Sequence, residues 1–182
     1  MSRPDPAVVA KIHQELLERW RVAMDLVGPG PLEPHFQDAE GAVAGLDARG
    51  SWADLGSGAG FPGVALAAAY PDAEVLLVES RQKRAVFLDN VVAAAKLTNA
   101  RVLRQRAEEL PPGLDGVIAR AFLPPDEYLK LAAKLLAPDG VAVVLLGDRE
   151  AEAFPGWELH ESTRYRVADG WRRRLVLRRL SP

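Results

Sequence analysis

The chain of 182 residues contains no cysteine. That absence removes structural disulfides, thiolate zinc sites and every mechanism built on a thiol nucleophile. Net charge is nearly absent too, at −2, so no overall field draws the protein onto nucleic acid or an anionic membrane, and any basic surface has to be local. No stretch reaches the roughly 18 consecutive apolar residues of a membrane span. The first twenty residues are interrupted by charges and show no continuous apolar centre, which makes the cytoplasm the expected compartment. Histidine is scarce: His13, His35 and His160 are scattered without metal-ligand spacing, so no metal site is expected. What is present is ordinary for a globular protein. With 48% hydrophobic and 26% charged residues, the chain is expected to form one domain over residues 1–182.

Asp5-Pro6 supplies an acceptor side chain followed by proline, a helix start. Val9, Ile12, Leu16, Trp20, Ala23 and Val27 then recur at helical spacing as far as Gly28. The segment GPGPLEP (28–34) breaks this pattern, and a weaker helical stretch follows over about 35–46, so residues 1–48 are expected to be a helical extension. Beyond it, SWADL (51–55), EVLLVE (74–79), ARVLR (100–104), LDGVIARAF (114–122) and VAVVLL (141–146) read as strands. Between them, PGVALAAAY (62–70), a segment capped by Ser80 and running to Lys96, and a segment from Asp126 to Leu136 stopped by Pro138-Asp139-Gly140 read as helices. Such alternation predicts βαβ units and a parallel sheet. The end of the chain departs from it, with two strand-like runs around Ala168-Asp169-Gly170 and no helix between them, which predicts an antiparallel hairpin.

The segment DLGSGAGFPG (54–63) places four glycines at the end of the first predicted strand, before a helix. Main-chain N–H groups and the positive end of a helix would face a ligand there. A structural tight turn is one reading. A dinucleotide site is another, because Gly58, Gly60 and Gly63 satisfy G-x-G-x-x-G and Glu79 lies at the required distance beyond. The third is the S-adenosylmethionine site of a methyltransferase, matched by Asp54, Gly56, Gly58 and Gly60 as Asp-x-Gly-x-Gly-x-Gly. Asp54 favours the third, since a carboxylate attracts an ammonium group and repels a pyrophosphate. Glu79 is placed to accept ribose hydroxyls of either ligand. Glu108, in the acidic turn after the third strand, is a candidate partner for an adenine edge.

DLGSGAGFPG, LVES-RQKRAVFL, RAEEL and LDGVIARAF, in this order and at these distances, resemble the glucose-inhibited division protein B family over roughly residues 15–147. The resemblance implies an α/β fold of the Rossmann-like class I methyltransferase type, a seven-stranded mixed sheet with an antiparallel C-terminal hairpin. It also implies methylation of N7 of a guanine in small-subunit (16S) ribosomal RNA, with S-adenosyl-L-methionine as donor. The partner is then that RNA or a ribosomal particle, and the protein a monomer that needs neither metal nor membrane. Carried over residue by residue, the resemblance implies that Gly56 and Phe61 contact the cofactor, that Ala107 and Glu108 contact its adenine end, and that Arg120 lines the site and acts on the acceptor. Plainer roles stay open: Glu79 as a helix cap, Arg120 in an ion pair with Asp54 or Glu108, and Phe61 in the core. Leu146-Gly147 stands where the family has Lys-Gly, and Asp25-Leu26-Val27 where it has Asn-Leu-Thr. Both departures are expected on the acceptor side, and they keep open another RNA or a small molecule as acceptor, or a relative that binds cofactor without turnover.

The chemistry narrows the acceptor. Methylation of cytosine C5 requires a cysteine nucleophile, and amine methylation usually relies on an Asp or Asn followed by prolines and an aromatic, where this chain has Ala119-Arg120-Ala121-Phe122. A ring nitrogen or an oxygen remains, with no general base required and no histidine expected near the motifs. Arg120 and Phe122 are suited to orient a base by hydrogen bonding and stacking. Arg164, Arg166, Arg172, Arg173, Arg174, Arg178 and Arg179, with Arg101, Arg104 and Arg106, are candidates for phosphate contacts, although arginines also protect an edge hairpin from aggregation. Arg81, Lys83 and Arg84 are expected on a solvated face.

Overall fold

A computed structural model describes residues 4–150 and 153–180. The first helix, α1 (Pro6–Trp20), starts where Asp5 accepts the Ala7 N–H at 2.8 Å. It ends a full turn or more before the expected Gly28. Asp25 takes the left-handed conformation (φ 52°) and the Leu26 N–H returns to the Arg21 carbonyl at 3.0 Å, which closes the turn and buries Leu26. The second, α2 (Glu33–Val43), is shifted from the expected 35–46. It begins earlier because Pro34 suits a first turn, and it ends at Val43, where the Arg174 guanidinium donates to the carbonyls of Ala42 and Ala44.

Seven strands follow, interleaved with helices: β1 (Gly50–Leu55), α3 (Gly63–Ala69), β2 (Ala73–Val78), α4 (Gln82–Ala94), β3 (Ala100–Leu103), a 3₁₀ turn (Ala107–Glu109), β4 (Leu114–Ile118), α5 (Pro125–Leu135), β5 (Leu136–Leu146), β6 (Trp157–Val167) and β7 (Gly170–Arg179). They form one mixed sheet in the order β3-β2-β1-β4-β5-β7-β6, parallel through β5 and antiparallel at β7 and β6. The last strand is therefore internal and β6 is the edge. Two expected features moved. LDGVIARAF leaves the sheet at Ile118, and Ala121 beyond it is left-handed (φ 52°). Pro138-Asp139-Gly140 does not separate α5 from β5 but makes an irregularity inside the strand, where Leu136 pairs with Leu114 and Val141 with Gly116. Proline has no N–H for the ladder, so the sheet is interrupted there.

Both faces of the sheet are covered, as the unbroken apolar run 141–146 predicts. Ala142, Val144 and Leu146 pack toward α5, whereas Val143 packs with α1, α2, α3 and α4 on the other face. The two N-terminal helices form an extra layer over α3 and α4, and α2 leans across onto β6 and β7. That lean matters for function, because it brings α2 to the carboxyl ends of β1 and β4, where the strand order reverses and such sheets place their ligands. Among the described residues no helix is long and apolar enough to cross a membrane.

Candidate cofactor and acceptor site

The glycine loop crosses the ends of β1 and β2. Gly56, Gly58 and Gly60 all have positive φ (70°, 54° and 92°), a conformation that L side chains rarely adopt, which explains glycine at alternate positions. At Gly56 there is also no room: a Cβ would lie 2.4 Å from the Phe122 ring. Glu79, buried one residue past β2, ties the loop to its neighbours. Its Oε2 accepts the Gly58 N–H at 3.0 Å and its Oε1 accepts the Arg81 N–H at 2.8 Å. The N-cap of α4 is thus Arg81 and not the expected Ser80; its own side chain makes no capping bond, and the side chain that meets the main chain there is Glu79.

Asp54 lies beneath the loop, fully buried. Its Oδ2 accepts the Gly63 N–H at 3.0 Å, and its Oδ1 is buried with no hydrogen-bond partner. Burial pushes its pKa up from 3.8 to about 7, against the opposing pull of the adjacent Ser57 hydroxyl, which donates to the Asp54 main-chain carbonyl at 2.9 Å, of the Gly63 N–H and of the more distant Arg120. His13 moves the other way. It is buried beside the loop, its Nε2 2.7 Å from the Ala59 carbonyl, and burial lowers its pKa from 6.5 to about 4.

These two shifts have opposite signs in stability. Between about pH 4 and 7 the folded state retains an Asp54 proton that the unfolded chain has released, so this contribution falls as pH rises. Between about pH 4 and 6.5 the unfolded chain binds a His13 proton that the folded state excludes, so that contribution rises with pH. Asp54→Asn, which keeps an acceptor for Gly63, is therefore expected to gain stability relative to the wild type as pH rises from 4 to 7 and to hold a constant difference above. Urea midpoints measured across that range check it. Parallel profiles for the two proteins would mean that Asp54 ionises like an exposed carboxylate.

A cavity of about 330 Å³ opens beside the loop, and its lining includes Gly56, Glu79, Arg84, Ala107, Glu108 and Phe122. Four of the residues expected to hold cofactor thus converge on one space; Gly58 is tied to it through Glu79, whereas Asp54 is not among its lining residues. Arg120 and Phe61 lie outside that lining. Phe61 is buried against His13, His35 and Phe36, and the Arg120 guanidinium sits 4.7 Å above its ring. The charge partner of Arg120 is neither Asp54 nor Glu108 but Asp38, at 3.3 Å.

Other expectations are corrected by the packing. The histidines are not remote from the motifs, since α1 and α2 carry His13 and His35 onto Phe61. Arg84 is not on a solvated face; its side chain is 23% exposed, lines the cavity beside the loop and donates to the Asp25 carbonyl. Asp25 has Arg81 and Arg84 as its ion-pair partners. Arg174 is 1% exposed, paired with Glu161 and closing α2, so it has no access to RNA phosphates. Arg164 forms a two-pronged bond to Asp148, and its guanidinium, like that of Arg166, lies over the Trp171 ring. The roles of His13, Asp38 and Arg84 were not legible in the sequence.

Strand order, the glycine crossover and the terminal antiparallel hairpin define the class I methyltransferase fold. Solved structures share it: the mitomycin 7-O-methyltransferase MmcR superposes with a TM-score of 0.68 at 16% identity over 94% of this chain and 60% of that one. A SAM dependent methyltransferase from Aquifex aeolicus gives 0.60 at 14% identity over 95% of this chain and 98% of that one. At the level of sequence, the family model for rRNA small subunit methyltransferase G, GidB, matches residues 9–165, and the chain belongs to that family. A relative from Nitratidesulfovibrio vulgaris, named ribosomal RNA small subunit methyltransferase G, is 35% identical over 93% of this chain and 84% of its own length. One of the same name from Erythrobacter litoralis is 45% identical over 59% of this chain, and the match spans only 52% of that relative.

Proposed function

We propose that this protein transfers a methyl group from S-adenosylmethionine to N7 of a guanine in small-subunit ribosomal RNA, as free RNA or within a ribosomal particle. The observation that carries the reading is the pair of buried carboxylates at adjacent strand ends, Glu79 on the Gly58 N–H and Asp54 with an unpartnered oxygen under the loop. This donor set fits a cation-bearing nucleoside without phosphate. Each Glu79 oxygen keeps a second lone pair for a ribose hydroxyl, while an ammonium group near Asp54 would draw that acid, its pKa raised to about 7 by burial, into its ionised form. Ala107 and Glu108 line the same cavity at the position of an adenine edge.

The cofactor supplies an electrophilic methyl group on a sulfonium. Guanine N7 brings its own lone pair, so this chain has no proton to remove from the acceptor, and its part is to hold the two reactants in line at about 3 to 3.5 Å. Arg120, a fixed donor fork, suits the O6 acceptor of guanine and leaves the N7 lone pair to the methyl group. Phe122, packed on Gly56 at the cavity edge, offers a face for stacking. His13 is held neutral and occupied by the Ala59 carbonyl, in keeping with a reaction that needs no histidine base.

Deleting the gene and analysing nucleosides by mass spectrometry tests the reading. The expected result is loss of 7-methylguanosine from small-subunit RNA, restored by the wild-type chain and not by Arg120→Gln. Unchanged RNA would overturn it; purified protein that methylates another acceptor would redirect it, and cofactor binding without turnover would leave a binding protein.

A further inference from the structure

Arg120 stands two residues past the end of β4 on a segment with no ladder bonds of its own, yet its guanidinium is 20% exposed and fixed. It is held from below by the Phe61 ring and from the side by Asp38. Asp38 is itself held. Tyr165 of β6 donates its hydroxyl to Asp38 Oδ1 at 2.8 Å, while Arg120 donates to Oδ2 at 3.3 Å. The two donors therefore take different oxygens of one carboxylate, 14% exposed. Two further contacts fix α2 against the hairpin. A Cβ on Gly41 would lie 2.2 Å from the Tyr165 ring, so only glycine admits that ring, and the Ala168 N–H donates to Gln37 Oε1 at 2.6 Å.

We infer that Asp38 is the positioning residue of Arg120: anchored by Tyr165, it sets the guanidinium over Phe61 at the acceptor side of the site. The chain of contacts runs from the hairpin through α2 to the glycine loop, and it rests on the reading of Arg120 as the group that meets the acceptor base. A carboxylate is required because both donors need an acceptor oxygen at the same time. Asparagine has the same shape but offers one oxygen and one N–H₂, so it loses one of the two bonds.

The experiment uses the full chain with small-subunit particles and labelled cofactor. Asp38→Asn is expected to lower kcat about tenfold, and Tyr165→Phe, which keeps the ring, about threefold, with KM for cofactor within about twofold in both. In an Arg120→Gln background, Asp38→Asn is expected to cost less than about twofold more, because its target is gone. An independent readout is the guanidinium NMR signal of Arg120, slowly rotating in the wild type and averaged in Asp38→Asn. Full activity in Asp38→Asn, or an equal loss in the Arg120→Gln background, would overturn the inference. Should the wild type methylate no ribosomal RNA, the functional proposal fails, while the guanidinium spectra still decide whether Asp38 fixes Arg120.

Discussion

Glu79→Gln is expected to weaken S-adenosylmethionine binding by about 10-fold in calorimetric titration. In the wild type each carboxylate oxygen accepts one main-chain N–H, from Gly58 and from Arg81. Glutamine preserves the shape but turns one acceptor into a donor facing a donor, inside a group that is 6% exposed. Leaving one such buried N–H unpaired costs about 1–3 kcal/mol. Replacing an ionised acceptor of ribose hydroxyls by a neutral one removes about 1–2 kcal/mol more. Only the second loss differs between the free and the bound protein, and about 1–2 kcal/mol corresponds to about 5- to 30-fold in affinity. The unpaired N–H is common to both, so a fall in stability of about 1–3 kcal/mol should accompany the weaker binding. If affinity stayed within about threefold of the wild type, Glu79 would be no more than the residue that starts α4, and the nucleoside reading would lose its main support.

That double role shows where the sequence was legible and where it was not. The spacing of Asp54, Gly56, Gly58, Gly60 and Glu79 could be read because it is local: strand, turn and helix follow one another, and each glycine answers a demand of the backbone that its own position makes. The sheet was legible for the same reason, since apolar runs bounded by turns mark strands and the missing final helix marks the hairpin. Arg120 is different. Its partner Asp38 is on a helix before the sheet and its second anchor, Tyr165, on the edge strand after it, so no periodicity relates the three. Arg174 shows the same limit. Among so many hairpin arginines it looks like any other, and only the packing of α2 across β7 makes it an internal helix cap. Helix ends were misread where a non-glycine residue took a glycine's conformation, as Asp25 does after α1.

Gly63→Ala is expected to lower stability by about 3 kcal/mol, which for a chain of this length moves the melting temperature down by about 6–12 °C. Gly63 opens α3, and its φ is not positive, so alanine meets no backbone strain there and would by propensity alone favour the helix. The obstacle is space. The added Cβ would lie 2.4 Å from a Leu77 methyl, 2.5 Å from Asp54 Oδ2 and 2.7 Å from Asp54 Cβ, and both neighbours are fully buried. Either Leu77 leaves its place in the core or Asp54 is pushed off the Gly63 N–H. The second outcome would cost the Gly63 bond and drive the acid out of its buried site toward water. Gly147→Ala is the control, because nothing lies within 4 Å of its Cβ, and it should change stability by less than about 0.5 kcal/mol. Shortening Leu77 to alanine should partly relieve Gly63→Ala, so that the pair costs less than the sum of its members, whereas strict additivity would place the damage in the backbone. If Asp54 is what moves, the variant will also lose the fall in stability between about pH 4 and 7, since a carboxyl displaced toward water regains its ordinary ionisation. A melting curve and a pH series on the same protein therefore separate a crowded core from a displaced acid, and only the latter should also weaken binding of the cofactor's ammonium end.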